Sequence, residues 1–321
     1  MSTPVVRSPL KWAGGKRQLL AALRPWFPRE FTRYVEPFLG SGAVFFDLAS
    51  SGQLEGRSAV LADVNRDLIG CYTMLRDRAE DVIAVLSELA ARHKHEGSRL
   101  YYEIRDEHFN PARAAGESAT PALAAMLIYL NRTGYNGLYR LNRRGGFNVP
   151  AGRYTEPRIC DAEHLRAVSA VLRRPGVTLE WSSFDAVLAG AGDGDFVYCD
   201  PPYAPLSATA SFAHYTAGGF GPADQQRLQQ TVAGAARRGA AVLLSNSSAP
   251  LIEELYRSAD ARDAGLRLHR VPARRAINAK GDARGVVEEL VVTNLRARTD
   301  VIPAPRMLRA GLRPATARRL A

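Results

Sequence analysis

The 321-residue sequence predicts an α/β protein: an open, mostly parallel sheet interrupted by an inserted, mostly helical block that bears a β-hairpin. Three observations lead there. A strand, glycine turn, helix, strand and terminal acid follow one another over residues 34–63. The same alternation resumes near residue 176, and the segment between lacks it. Hydrophobic residues make up 46% and charged residues 23%, the balance of a globular chain that can bury a full core at this length.

In order, Pro9-Leu10-Lys11-Trp12-Ala13-Gly14-Gly15-Lys16 reads as a loop, followed by helical apolar spacing through Leu19, Leu20 and Leu23. Tyr34–Phe38 is a short buried strand, Leu39-Gly40-Ser41-Gly42 a tight turn, and Ala43–Leu48 the start of a helix. Ala59–Asp63 is a second strand, and one long helix is expected from about Arg66 to Ala91. Helical stretches around Leu100–Phe109 and Leu123–Leu130 lead into Asn131–Tyr154, where the spacing predicts a hairpin turning at Arg143-Arg144-Gly145-Gly146. Strands follow at Val177–Trp181, Phe196–Cys199 and Ala241–Ser245, with a helix over Pro222–Arg238. Leu266–Val271 and Glu288–Thr293 would close the sheet as an antiparallel edge pair. The expected division is 1–75, an insertion over 76–175 with its hairpin at 131–154, a resumed α/β part over 176–295, and a disordered tail over 296–321 with seven arginines against one acid.

Several classes are disfavoured. No apolar run reaches the length of a membrane span and the N-terminus lacks a signal-peptide core, so a cytoplasmic location is expected. Cys71, Cys160 and Cys199 are too scattered for a disulfide framework or a metal knuckle. His93-x-His95 lies among charges at a helix end, and no metal is expected. The net charge of +11 suits a polyanion, although an arginine-favouring composition alone would give the same excess.

Asp200-Pro201-Pro202-Tyr203 follows a strand, at the end where open α/β sheets bind ligands. An amine conjugated into a ring is a poor nucleophile. Two acceptors holding both of its N–H bonds would turn it towards tetrahedral geometry and expose its lone pair. Asp200 offers one acceptor and the Pro201 carbonyl the other, while the prolines fix the turn and add no amide donors. Tyr203 offers a ring for stacking. Such a site works by positioning and electrostatics, although the same tetrapeptide could be a plain proline turn.

In Glu36-Pro37-Phe38-Leu39-Gly40-Ser41-Gly42, Gly40 and Gly42 would let backbone approach a cofactor closely. Phe45 stands where a dinucleotide fingerprint needs a small residue, which disfavours a nicotinamide oxidoreductase. Asp63 is placed for ribose hydroxyls without saying whose. Gly14-Gly15-Lys16-Arg17 lacks the spacing and hydroxyl of a phosphate loop.

Taken in order, these segments resemble the Dam family of DNA adenine methyltransferases from about Pro9 to Leu295. The resemblance implies a Rossmann-like methyltransferase sheet whose insertion is a target-recognition domain. It implies methyl transfer from S-adenosyl-L-methionine to adenine N6 of double-stranded DNA, within GATC, after base flipping. Cofactor contacts would come from Trp12, Lys16, Glu36, Pro37, Phe38, Gly40, Gly42, Asp63 and Asp200, with Phe184 against the cofactor adenine and Ser183 where many members carry an acid. Leu138, Arg140, Pro150 and Tyr154 match base-contacting positions of the GATC-methylating branch. Arg140 suits a bidentate guanine contact, and Leu138 and Pro150 a thymine methyl. Lys11 and Asn136 would lie near DNA, and Arg143, Arg144 and Arg153 would grip phosphates. Ala204–Phe212 resembles the family's loop over the flipped base, and Arg274, Arg275 and Lys280 would approach the DNA backbone. No obligate protein partner is implied. An amino methyltransferase acting on cytosine N4, RNA or a protein amide, and a catalytically silent DNA-binding relative, are the alternatives.

Overall fold

The structure is a computed structural model that describes residues 5–12, 16, 19–205, 219–274 and 286–298. After α1 (Leu20–Leu23), strands β1 (Arg33–Glu36) and β2 (Ser58–Asp63) flank α2 (Ala43–Ser50). A helical run follows: α3 (Arg66–Asp77), α4 (Ala79–Glu96), α5 (Ser98–Glu103), a wide-turn stretch Ile104–Phe109, α6 (Asn110–Ala114) and α7 (Pro121–Thr133). Beyond residue 161 come α8 (Ala162–Leu172), β3 (Val177–Trp181), α9 (Phe184–Ala189), β4 (Asp195–Cys199) and α10 (Pro222–Arg237). The chain then forms β5 (Ala241–Ser247), α11 (Pro250–Tyr256), α12 (Ala259–Asp263), β6 (Arg267–Arg274) and β7 (Val286–Thr293).

The seven strands lie in the order β3-β2-β1-β4-β5-β7-β6. The first five are parallel, and β7 runs antiparallel to both β5 and β6. Strand order reverses between β1 and β4, so their connections leave on opposite sides and open a crevice at the carboxyl ends. Every residue of β4 is buried, as its unbroken Phe-Val-Tyr-Cys run requires of a central parallel strand. Phe196 and Tyr198 enter one apolar cluster and Val197 and Cys199 the other, following the two-residue period of a strand. Asp195 would be a costly buried charge, but Arg33 meets it in a two-pronged pair at 2.8 and 2.7 Å and ties the start of β1 to β4.

The inserted helices share the sheet's core. Residues of α3, α4, α7 and α8 join Phe196, Tyr198 and Leu243 in one continuous cluster, while α10, α11 and α12 cover the opposite face. The single long helix expected over 66–91 is two helices. The chain leaves helical geometry at Arg78 (φ −136°, ψ 40°), which lets α3 lie on the sheet while α4 turns to pack on α7. Segment 131–154 differs from an ordinary hairpin: residues to Thr133 finish α7, and only two antiparallel bridges form, Gly134 with Ala151 and Leu141 with Phe147. Side chains replace the missing ladder. Asn110 bonds both backbone groups of Phe147, and Tyr101 and Arg105 donate to the Val149 carbonyl. The tail beyond Arg298, Leu206–Phe212 of the expected loop, Arg275 and Lys280 lie outside the described residues.

Gly70 shows how tightly the chain between α6 and α7 seats on α3. A Cβ there would stand 2.0 Å from the Ser118 carbonyl oxygen. In an open helix Gly→Ala stabilises by roughly 0.5–1 kcal/mol. Here Gly70→Ala should instead destabilise by about 3 kcal/mol, read as a lower denaturation midpoint at unchanged m.

Candidate active site and recognition segment

Three carboxylates meet where neighbouring strands end: Glu36 on β1, Asp63 on β2 and Asp200 just after β4. Burial pushes the Glu36 carboxyl well above its ordinary range, against the 2.9 Å bond from the Tyr34 hydroxyl, and the nearby Asp200 charge adds to the rise. Burial also pushes Asp63 up to about 6, even though it accepts from the Gly40 amide at 3.0 Å and the Asn65 amide at 2.9 Å. Asp200 is raised by burial too, and Lys16 opposes that rise: its Nζ lies 2.8 Å from Asp200 Oδ1 and is itself only 5% exposed.

The β1–α2 turn brings backbone to the crevice. Gly40 (φ +46°) and Gly42 (φ +63°) take left-handed conformations that favour glycine, and a Cβ on Gly40 would lie 3.1 Å from Trp12 Cδ1. Trp12 thus covers the turn, and it also stacks on the Tyr139 ring with centroids 5.5 Å apart. Next to the turn, Phe38 stacks on Phe184 at 5.4 Å, with Phe220 edge-on at 5.9 Å. Ser183 accepts the Ala186 amide as the cap of α9, which gives the hydroxyl a local role. Pro37 continues β1 into the turn.

At the tetrapeptide, Asp200 Oδ1 takes both Lys16 and the Ser245 hydroxyl (3.2 Å), while Oδ2 has no hydrogen bond among the described residues. The two prolyl carbonyls differ in the same way. That of Pro202 accepts Gln225 Nε2 at 2.9 Å; that of Pro201 accepts nothing among the described residues. The Tyr203 hydroxyl donates to Glu289 at 2.6 Å, and Lys16 Nζ lies 4.4 Å from its ring centroid. Among the described residues, two acceptors, one carboxylate and one amide oxygen, are therefore left open next to Tyr203.

Segment 131–154 turns its polar residues outward. Asn136, Arg140, Arg143, Arg144, Pro150, Arg153 and Tyr154 are exposed; Leu138 is half-buried and Tyr139 buried. Arg140 donates Nε to Asn148 Oδ1 (2.8 Å) and Nη2 to the Asn148 carbonyl (3.2 Å), which leaves Nη1 unbonded among the described residues. Lys11 is joined to this segment: Asn131 bonds its backbone on both sides (2.8 and 2.7 Å), and its ammonium lies 4.4 Å above the Tyr154 ring. Asn136, at φ +53°, is the one non-glycine with positive φ among the described residues, and Gly137 leaves no room for a Cβ against Lys11.

The model of the D12 class N6 adenine-specific DNA methyltransferase family matches residues 12–277. The chain belongs to this family. It is 39% identical to Type II methyltransferase M1.LlaDCHI of Lactococcus lactis subsp. cremoris, over 88% of this chain and 94% of that protein. It is 38% identical to the DNA adenine methylase of Escherichia coli K12, over 89% of this chain and 94% of that one. Type II methyltransferase M.MjaIII of Methanocaldococcus jannaschii is 37% identical, over 88% of this chain and 97% of its own length. Among solved structures, the rRNA methyltransferase aviRa of Streptomyces viridochromogenes overlaps 86% of this chain and 82% of that chain at a TM-score of 0.31, too loose a likeness to argue from. This D12-class enzyme is an adenine-specific DNA methyltransferase on an α/β sheet.

Around the D12 site stand residues that sequence reasoning missed. Ser245, Asn246 and Ser247 end β5, and the last two hold Ala204: Asn246 Oδ1 accepts its amide at 3.3 Å, and the Ser247 hydroxyl donates to its carbonyl at 2.6 Å. Asn246 Nδ2 also steadies Gln225 at 3.0 Å. Glu289 reaches Tyr203 from β7. The signal available for them was a Ser-Asn-Ser run closing an apolar strand. Tyr135, 52% exposed beside Asn136, was likewise passed over.

Lys16→Met should move the acidic limb of the methylation rate profile to higher pH. The lysine holds Asp200 down against burial, so without it the carboxylate forms only at higher pH. Methyl incorporation measured across pH checks this; an unmoved limb would separate Asp200 ionisation from the rate.

Proposed function

We propose that this D12-class chain transfers a methyl group from S-adenosyl-L-methionine to N6 of a flipped-out adenine within GATC in duplex DNA. The observation that carries the reading is the pair of open acceptors, Asp200 Oδ2 and the Pro201 carbonyl, set beside Tyr203 while Lys16, Ser245 and Gln225 occupy their neighbours. Two acceptors on adjacent residues match an amino group with two N–H bonds. Asp200 and Pro201 would hold those bonds and aim the nitrogen's lone pair, and Pro202 would keep the turn rigid. Tyr203 would stack the base on the ring face away from Lys16.

The crevice fits the cofactor. Asp63 would supply an acceptor for ribose hydroxyls, Phe38, with Phe184 stacked against it, an aromatic surface for adenine, and Glu36 and Asp200 carboxyl acceptors for the methionine end. Gly40 and Gly42 let backbone come close, with Pro37 leading into their turn and Trp12 and Lys16 closing the side. Bound there, the cofactor supplies an electrophilic methyl group.

Target reading would fall to the segment over 131–154, within an inserted domain spanning 76–175. Asn148 holds Nε and Nη2 of the exposed Arg140 and leaves Nη1 unbonded among the described residues, the end that would pair with guanine N7 and O6. Leu138 and Pro150 would meet a thymine methyl, and Tyr154, steadied by Lys11, would flank the site. Arg143, Arg144 and Arg153 would hold phosphates, and Asn136 would lie near the DNA.

Mapping methylated adenines on treated plasmid DNA tests the reading. Methylation confined to GATC is expected, with Asp200→Ala lowering the rate on the order of 10² to 10³-fold; methylation at another sequence would replace GATC. Cofactor affinity should fall as pH drops below about 6, because Asp63 then becomes neutral and loses its value as an acceptor. In Asp63→Asn that pH dependence should disappear from a binding titration.

A further inference from the structure

We propose that Arg113 and Asp67 form a latch that positions the recognition segment for base reading, a role that rests on the assignment of Arg140 given above. The two come from different parts of the fold, α6 and the first turn of α3. Their side chains are 15% and 11% exposed, with Arg113 Nε 2.5 Å from Asp67 Oδ2. The same Asp67 oxygen accepts the Tyr139 hydroxyl. Arg113 Nη1 donates to the Gly145 carbonyl at 2.7 Å, and Nη2 lies 3.4 Å from the Tyr139 hydroxyl. From the same helix, Asn110 bonds the Phe147 amide at 2.8 Å and its carbonyl at 3.0 Å. The segment is therefore gripped on its outgoing arm, at its turn and on its returning arm.

Holding Tyr139 inward has a geometric consequence. In extended backbone successive side chains point to opposite sides, so an anchored Tyr139 turns Arg140 outward, and the burial of residues 138–140 runs half-buried, buried, exposed. The Asn148 bonds then set the guanidinium's rotation. Gly145 follows Arg143 and Arg144 directly, so its bond to Arg113 fixes the basic turn as well. Stability alone is a weak reason for such an arrangement. A buried ion pair gains little over apolar residues of equal volume, and an apolar residue at 113 could fill the space without reaching Gly145. The fork geometry of arginine does what packing could not.

The tests use the full-length protein with Tyr139→Phe and Arg113→Lys. The first removes one hydroxyl and keeps the ring stacked on Trp12; the second keeps the charge and loses the fork. For each, kcat/KM is measured on the intact target duplex and on duplexes with one altered base pair, alongside cofactor affinity and melting temperature. Discrimination at the pair read by Arg140 should fall about tenfold in both variants, with cofactor affinity unchanged. Arg140→Ala placed on Tyr139→Phe should cost little further discrimination at that pair. The proposal is overturned if the variants discriminate as wild type does, or lose activity on every duplex in equal proportion. A wild-type enzyme that treats all altered duplexes alike would instead overturn the Arg140 assignment, and needs no variant to reveal it.

Discussion

Everything at the strand ends answers to one electrostatic constraint: three carboxylates share a buried crevice. Glu36, Asp63 and Asp200 are each raised by burial, and Asp200 raises Glu36 further. A crevice of that kind cannot hold three full negative charges without compensation. Glu36 is relieved by the Tyr34 hydroxyl, Asp63 by backbone amides of the glycine turn and of Asn65, and Asp200 by Lys16. The lysine comes from the N-terminal segment, so that segment is part of the site's charge balance as well as its wall. Cations and N–H donors are the groups such a crevice attracts.

The compensation is also selective. Lys16 and Ser245 both approach Oδ1 of Asp200, and Gln225 takes the Pro202 carbonyl and leaves the Pro201 carbonyl alone. Each supporting bond lands on an atom other than the two acceptors proposed to hold the amine. Glu289 works in the same way on Tyr203, bonding the hydroxyl at the ring's rim and leaving the π-face unencumbered from that side. The sheet makes this possible: β5 and β7 deliver Ser245 and Glu289 from strands adjoining β4 and β5.

Much of this was legible in sequence, and what was not has physical reasons. Asp63 and Asp200 close apolar strands, an end readable from composition alone, as is the glycine turn; Glu36 lies inside the expected strand Tyr34–Phe38, and β1 ends at Glu36 instead. Glu289 was not legible, because its meeting with Tyr203 depends on the antiparallel register that sets Ser247 opposite it. The break at Arg78 has no proline or glycine to announce it; it follows from α4 finding its partner in α7. The missing hairpin ladder was equally hidden. Residues 131–154 carry turn signals and alternation, but their backbone groups bond side chains of Asn110, Tyr101, Arg105 and Arg113 from earlier helices.

That substitution of side chains for a ladder bears on what the insertion is. A self-contained hairpin would carry its own order and could sit on any scaffold. This segment draws its order from helices that are themselves part of the sheet's core cluster, through Tyr139, Phe147 and Val149. The Tyr139 ring stacks on Trp12, which covers Gly40 of the cofactor turn, while its hydroxyl meets Asp67 four residues past Asp63. Two routes, one of rings and one of hydrogen bonds, thus join segment 131–154 to the strand-end crevice. Coupling needs contiguous packed contacts between elements, and here both routes converge on a single side chain.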